Sequence, residues 1–224
     1  MQTKIYLASV QPLYEKRVFE RLYARASNER KEKIGRYRYE QDRLLSLAAE
    51  GLLLHAMREA GVPGPAPVYA YGAHNKPYLK HAEGFRFNLS HSGEYAMLAV
   101  SDAEVGCDIE RIRPFDPRVA KRILSPEEFA AFDAADPLQK DALFCRLWVG
   151  RESYLKALGE GLFKSPASFR IEPDSSGRVI DGGRSTPYTV RTGDRILGYR
   201  YAVCAENADS RIPTEIVRFD DPEN

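Results

Sequence analysis

Two acidic groups far apart in the chain have the residue types and spacing to share one cation. The first is Asp108 and Glu110, in the run Val105-Gly106-Cys107-Asp108-Ile109-Glu110-Arg111-Ile112. The second is Glu152, in Trp148-Val149-Gly150-Arg151-Glu152-Ser153-Tyr154-Leu155-Lys156. Side chains on a strand alternate faces, so Asp108 and Glu110 project from one face roughly 7 Å apart. Like charges that close are unfavourable unless a cation or a raised pKa relieves them. Three carboxylates converging from separate elements suggest Mg²⁺, which is commonly held by one or two carboxylates together with substrate phosphates. A plainer alternative is a solvated strand face, with Glu110 paired to Arg111 or Arg113. Glu152 and Lys156 have a plainer alternative too, an exposed i,i+4 helical pair worth about 0.3–0.5 kcal/mol. Against that pair, Leu138, Ala142, Cys145 and Val149 form a row on the expected helix that continues into Glu152 and Lys156. A charge on an apolar row needs a partner.

His91 lies in Asn88-Leu89-Ser90-His91-Ser92-Gly93. Ser-His-Ser invites comparison with a hydrolase triad. However, a nucleophilic serine needs its base from elsewhere, and neighbours on a strand point to opposite faces. Single histidines commonly serve as hydrogen-bonded structural residues; one at a strand end is also placed to contact a phosphate. His55, His74 and His81 have no comparable context. No Gly-x-Gly-x-x-Gly or Walker A pattern occurs, so phosphate binding would not use those loops.

The elements that must position these residues follow from periodicity and punctuation. Ile5 to Val10 reads as a strand and Tyr14 to Ala26 as helix-compatible, with Ser27 as an N-cap for the segment that follows. The basic run Arg30 to Arg38 reads as a solvated face unless other residues give it a ligand. A long helix from about Gln41 to Ala60 stops at Gly61. Val68 to Tyr71 reads as a strand and Asn75-Lys76-Pro77 as a turn. Phe85, Phe87 and Leu89 alternate with polar residues as in a half-buried strand. Ser90-His91-Ser92-Gly93 is expected to interrupt it before a return strand from Tyr95 to Val100. Val105 to Ile112 is the next strand. Ser125-Pro126-Glu127-Glu128 combines an N-cap serine, an N1 proline and a glutamate at N3. A helix opened by Asp136-Pro137 is expected to run to Leu158, with Gly159 as its stop. Strands follow near Ser168–Ile171, Tyr188–Arg191 and Tyr199–Ala205, and the last residues are expected to fray. Helices and strands do not alternate regularly, so the expected class is α+β.

Composition limits the function classes. The 224 residues carry 33 Lys and Arg against 32 Asp and Glu, a net charge of +1, which argues against a general nucleic-acid binder. Hydrophobic content of 43% and charged content of 29% suit a globular chain. The start of the sequence lacks the apolar stretch of a signal peptide, and no run is long enough to span a bilayer. Cys107, Cys145 and Cys204 are odd in number and widely spaced, which fits reduced core residues of a cytoplasmic protein rather than a disulfide or zinc framework.

Together these segments resemble the Sfp-type 4′-phosphopantetheinyl transferases, in their long, single-chain form. Phe87-Asn88-Leu89-Ser90-His91-Ser92 is similar to the family's F-N-x-S-H-S motif, and Gly106-Cys107-Asp108-Ile109-Glu110 to its G-x-D-x-E motif. Trp148 to Lys156 resembles W-x-x-K-E-[AS]-x-x-K, continued by Gly159-Glu160-Gly161-Leu162. Asn75-Lys76-Pro77 resembles the upstream G-K-P turn. Departures are Arg151 for the usual lysine, Asn75 for a glycine, Leu45 where many relatives carry an arginine, and Gly150 inside the helix at a cost of roughly 1 kcal/mol against alanine.

The resemblance implies a pseudo-two-fold fold of two similar α+β halves, 1–103 and 104–224, with the active site at their interface. It implies transfer of 4′-phosphopantetheine from coenzyme A to a serine of an apo acyl or peptidyl carrier protein, releasing 3′,5′-ADP, as in fatty-acid, polyketide or nonribosomal-peptide biosynthesis. Mg²⁺, with Mn²⁺ as a substitute, is expected on Asp108, Glu110 and Glu152. Asp108, Glu152 and Lys156 are the expected catalytic residues, with Glu152 or a water held by the metal as general base and Lys156 stabilising the leaving phosphate. Lys76, Ser90, His91, Arg151, Lys156, Arg30 and Lys33 are the expected coenzyme A contacts. The carrier is expected to dock on the segment from Ile112 to Phe132, with Phe115 and Leu124 as exposed apolar anchors and Arg113, Arg118, Lys121 and Arg122 as a basic rim. The expected state is a cytoplasmic monomer that binds neither nucleic acid nor membrane. Two other classes remain open: another Mg²⁺-dependent phosphate-transfer or hydrolysis enzyme, and a non-catalytic carrier-binding module.

Overall fold

Alternation along the first strand already shows that it is sandwiched. β1 (Lys4–Ser9) sends Tyr6 and Ala8 to one face and Ile5 and Leu7 to the other, and all four are buried. It forms a sheet of order β11 (Thr214–Ile216), β1, β5 (Tyr95–Ser101) and β4 (Arg86–Ser92), in which β4 and β5 are a hairpin. β11 runs parallel to β1 on its far side, pairing Thr214 with Ile5 and Ile216 with Leu7. The computed structural model describes residues 2–160, 164–206, 208–209 and 211–221. The Gly161-Leu162 end of the glycine-rich motif and the last residues, 222–224, lie outside them.

Helices cover the outer face of this sheet. α1 (Lys16–Arg25) and α2 (Asn28–Arg36) precede α3 (Glu40–Glu59), whose Leu44, Leu47, Leu52 and Leu53 bury against Tyr6, Phe87 and Leu98. Each fully buried aliphatic side chain of this kind contributes roughly 1.5–3 kcal/mol. Ser27 caps α2 by accepting from the Arg30 N–H at 3.1 Å, and Gly61 ends the region of α3 at φ +66°. Leu45 is part of this core. A small hairpin of β2 (Tyr69–Tyr71) and β3 (Pro77–Leu79) lies beside it. The connecting turn holds His74 at φ 55° and Asn75 at φ 62°. Asparagine enters this left-handed region more easily than most residues, so it stands in for the glycine of the motif.

The second half repeats the plan. β6 (Val105–Arg111) is followed by α4 (Pro117–Ile123), α5 (Pro126–Asp133) and α6 (Lys140–Leu158). β7 (Phe169–Ile171), β8 (Arg178–Asp181), β9 (Arg184–Gly193) and β10 (Tyr199–Glu206) complete a sheet of order β6-β10-β9-β8-β7. α6 lies on its outer face, with Val149, Tyr154 and Leu155 against Ala202 and Cys204. The inner faces of the two sheets meet through Ile5, Leu7, Met97 and Ala99 on one side and Cys107, Ile109, Tyr201 and Val203 on the other. The result is four layers, helix–sheet–sheet–helix, an α+β architecture of two similar halves as expected. The cysteines are all buried and free. Among the described residues no helix is long and apolar enough to cross a membrane.

Several local expectations are corrected. β4 does not stop before Ser90; it continues through Ser92, and the turn comes at Gly93, φ 56°. Leu138 is 93% exposed, because Pro137–Gln139 is a 3-10 turn and α6 begins only at Lys140, so the apolar row starts later than the periodicity indicates. Leu124 is buried with Ile123, Ala120 and Phe132 and is no surface anchor. β8 and β11 were not anticipated. Gly150 earns its place by proximity: a Cβ there would lie 3.2 Å from Ile171 Cδ1, so α6 sits close on β7 at this point.

Candidate active site

The acidic residues converge because β6 presents alternate side chains to α6. Asp108 and Glu110 share the face that α6 covers, while Cys107 and Ile109 fill the inter-sheet core. Gly106 sets the distance. A Cβ at this position would lie 2.1 Å from the Ser153 carbonyl oxygen and 2.3 Å from the Ala157 nitrogen, so only glycine lets the helix backbone rest on the strand. That close crossing brings Glu152 and Lys156, one turn apart on α6, over Asp108 and Glu110.

The resulting cleft, about 300 Å³, is lined by Leu89, Ser90, His91, Asp108, Glu110, Trp148, Glu152 and Lys156. Lys156 Nζ donates to Asp108 Oδ1 at 2.6 Å and the Ser90 hydroxyl donates to the same oxygen at 2.7 Å. Asp108 is 4% exposed, and its Oδ2 is buried without a hydrogen-bond partner. An unpaired carboxylate oxygen beside two further carboxylates is a costly arrangement for the chain alone and a suitable one for a hard cation. The donor types suit Mg²⁺, and Asp108, Glu110 and Glu152 are the residues that would hold it; their ligand atoms do not all lie within 4.8 Å of one another, so the side chains would draw together around the ion.

Electrostatics in the cleft agree. Burial pushes the Glu110 carboxyl above its ordinary value and the Asp108 charge adds to this, while a hydrogen bond from Ser92 opposes it. Burial likewise raises Glu152, with Asp108 and Glu110 adding and Lys156 opposing. Burial works against the charge on Lys156, but Asp108, Cys107 and Glu152 outweigh it, and its pKa is raised. Part of the His91 ring faces solvent, yet the cleft walls desolvate it and Lys156 and Lys33 add their charge, so its pKa falls.

A carboxyl with a raised folded-state pKa stabilises the fold when protonated; that contribution is lost as pH climbs from the ordinary glutamate value of 4.5 through the raised ones. The thermal midpoint of the metal-free protein is therefore expected to fall across this window, and a Glu110→Gln, Glu152→Gln variant to flatten the slope. Calorimetric scans in chelator at successive pH values check this; an unchanged slope in the double variant would contradict it.

The expected coenzyme A contacts divide. Ser90, His91 and Lys156 line the cleft. Lys33 is exposed on α2, and its charge reaches His91. Arg151 is a correction. Its side chain is fully buried, with Nε on the Ile123 carbonyl at 2.7 Å and the guanidinium paired with Glu128, so it braces α6 against α4 and α5 instead of meeting substrate. Arg30 is also engaged inside the protein, with Glu50 at 2.8 Å and with Ser46 and Tyr69. Lys76 binds Glu104 at 2.6 Å and the carbonyls of Val105 and Ala157, tying the β2–β3 turn to the start of β6 and the end of α6. Neither Arg30 nor Lys76 lines the acidic cleft.

Comparison with known proteins bears on what this cleft does. Residues 104–204 match the model of the 4′-phosphopantetheinyl transferase superfamily, and residues 11–103 match the 4′-phosphopantetheinyl transferase N-terminal model. A 4′-phosphopantetheinyl transferase of Bacillus subtilis is 32% identical over 85% of this chain and 86% of its own. The chain belongs to the 4′-phosphopantetheinyl transferase superfamily. The Bacillus pumilus transferase psf-1 is 30% identical over 96% of this chain and 94% of its own. The Bacillus subtilis (strain 168) transferase Sfp is 29% identical over 85% of this chain and 86% of its own. A solved structure of Thermotoga maritima holo-[acyl-carrier-protein] synthase overlaps 48% of this chain and 64% of that one at 16% identity, with a TM-score of 0.36.

Sequence reasoning missed some of the residues that build the transferase's site. Ser92 donates to Glu110 Oε2 at 2.7 Å, and Glu128 holds Arg151. The signal for Ser92 was its place two residues after Ser90. A second acidic group escaped notice: His55, Glu59 and Glu215, whose ligand atoms lie within 4.8 Å of one another. Lys4 bonds Glu59 at 2.8 Å and Glu215 at 2.7 Å within that group, which makes it a charge network holding β11 to β1 and α3.

Proposed function

We propose that the chain transfers 4′-phosphopantetheine from coenzyme A to a serine of an apo acyl or peptidyl carrier protein, releasing 3′,5′-ADP, in a Mg²⁺-dependent reaction. The observation that carries this reading is the convergence of Asp108, Glu110, Glu152 and Lys156 on one cleft, in a chain of this superfamily. When bound, Mg²⁺ would supply charge neutralisation for the coenzyme A pyrophosphate.

The chain's own residues supply the rest. Glu152, half-buried at the cleft, is positioned to accept the proton of the carrier serine. As the serine oxygen bonds to the β-phosphorus, the bond to the bridging oxygen breaks and charge collects on the departing 3′,5′-ADP. Lys156, kept charged by Asp108, stabilises that charge from within the cleft. His91 lines the same cleft, and both it and Lys33, whose charge reaches His91, suit the remaining phosphates of coenzyme A. The reading extends to a cytoplasmic monomer.

A second groove, about 360 Å³, is lined by Arg111, Arg113, Phe115, Val119, Phe144 and Trp148 and shares Glu110 and Trp148 with the acidic cleft. Phe115 stacks on Phe144 at 4.4 Å, giving an apolar wall, and Lys121 and Arg122 are exposed on α4, the helix that follows Phe115. This is the proposed carrier dock, with Phe115 as anchor. Rim charges act chiefly on encounter. Lys121→Glu with Arg122→Glu is expected to raise the carrier KM at low salt several-fold and leave the coenzyme A KM nearly unchanged; an unchanged carrier KM would move the dock elsewhere.

Release of 3′,5′-ADP from coenzyme A, measured with and without apo carrier, tests the function. Release only with carrier is expected. Release without it would make the chain a hydrolase, and none in either case a binding module.

A further inference from the structure

The edge of β6 that faces away from β10 carries the N–H groups of Cys107, Ile109 and Arg111. They are not met by another strand's backbone. The Cys107 N–H donates to Asn88 Oδ1 at 2.9 Å, the Ile109 N–H to Ser90 Oγ at 3.3 Å and the Arg111 N–H to Ser92 Oγ at 3.2 Å. Three alternate side chains of β4 thus satisfy three alternate donors of β6, joining the edges of the two sheets. The period of two in Asn88-Leu89-Ser90-His91-Ser92 matches the period of two on the facing strand.

The two serines do more than satisfy the edge. A hydroxyl has one proton to give. With a backbone N–H arriving at its oxygen, each serine directs that proton to the carboxylate one residue earlier on β6: Ser90 to Asp108 Oδ1 and Ser92 to Glu110 Oε2, both at 2.7 Å. The backbone of β6 therefore orients the hydroxyl, and the hydroxyl orients the carboxylate. Asp108 has Lys156 as a further partner. Glu110 is half-buried, and Ser92 is the hydroxyl that fixes its side chain.

We propose that Ser92 is a positioning residue that holds the Glu110 carboxylate in place for the cation, through a hydroxyl itself fixed by the Arg111 N–H. The inference rests on the reading of Asp108, Glu110 and Glu152 as a cation site. Groups that orient metal-binding carboxylates typically change affinity by about 10–100-fold when lost. Asn88 separates this role from simple docking of the strands, because its side chain meets the same edge of β6 without touching an acid of the trio.

The test is direct Mn²⁺ binding to the whole protein without coenzyme A or carrier, followed by electron paramagnetic resonance of the free ion, alongside thermal unfolding in chelator. Ser92→Ala is expected to weaken Mn²⁺ binding by about tenfold, and Ser92→Thr, which keeps the hydroxyl, to restore it to near the parent value. Asn88→Ala is expected to lower the unfolding midpoint and leave Mn²⁺ affinity close to the parent. If the parent binds Mn²⁺ and Ser92→Ala binds it equally well, the inference is overturned while the cation site stands. Equal weakening by Asn88→Ala and Ser92→Ala, or a folded Ser92→Thr that fails to restore binding, overturns it as well. A parent protein that binds no Mn²⁺ overturns the cation site and the inference together.

Discussion

Asp108→Ala is expected to lower turnover with carrier by at least about 100-fold, the scale of losing one key electrostatic contact at a reacting centre. The carboxylate does two things. Its Oδ2 is the buried oxygen left without a partner in the chain, the natural ligand position for a cation. Its Oδ1 holds Lys156 at 2.6 Å and keeps that ammonium charged. Removal therefore strips the proposed metal site and also lowers the Lys156 pKa. The fold is expected to survive, because taking one negative charge from three relieves repulsion among the remaining acids, and Lys156, 30% exposed, keeps the Ser90 hydroxyl at 3.3 Å and the Glu152 charge as partners. Turnover at limiting Mg²⁺ together with a thermal unfolding scan checks both halves of the expectation. Near-normal turnover at limiting Mg²⁺ would show that the site is wrongly assigned.

The largest expected loss of stability lies outside the cleft. Glu128 closes a capping box on α5, accepting from the Ser125 N–H at 2.9 Å, while its carboxylate also receives the guanidinium of fully buried Arg151. Glu128→Ala leaves that guanidinium buried with the Ile123 carbonyl as its one hydrogen-bond acceptor among the described residues, beside the Phe169 ring at 5.4 Å, and loss of one partner of a buried pair costs about 3–5 kcal/mol. Because Arg151 precedes Glu152 on α6, the same change is expected to disturb the cleft and lower turnover. Replacing both members by apolar residues, as in Glu128→Leu with Arg151→Met, is expected to cost less than Glu128→Ala, since no charge is then stranded. Urea unfolding of the three proteins decides the matter; a Glu128→Ala loss below about 1 kcal/mol, the scale of an exposed pair, would contradict the bracing role.

The contrast between Glu152 and Arg151 shows how far the sequence could be read. The acid was legible, because its row on the helix and the Asp-x-Glu strand both pointed inward. The arginine beside it was not, because its partners, Glu128 and the Ile123 carbonyl, come from elements whose packing no periodicity reveals. Ser90 to Ser92 misled for a related reason. Polar residues on a strand normally signal solvent or a turn, whereas here their partners are the backbone donors of another strand. Helix limits were legible where a cap was present, as at Ser27, Ser125 and Gly159. β11 was hidden: it has three residues, and its partner β1 lies at the other end of the chain. Leu138 looked like core because Pro137 marks a helix start, but a 3-10 turn rotates it away from the apolar row.

The acidic cleft between the two halves is expected to transfer phosphopantetheine to a carrier serine. Intact-protein mass spectrometry of a panel of apo carriers, incubated with the protein, coenzyme A and Mg²⁺, tests it most directly. The predicted result is a gain of one phosphopantetheine mass on at least one carrier, abolished when its acceptor serine is alanine and when chelator replaces Mg²⁺. A panel of intact apo carriers left unmodified by active, folded protein, or a gain that survives loss of the acceptor serine, would contradict the claim.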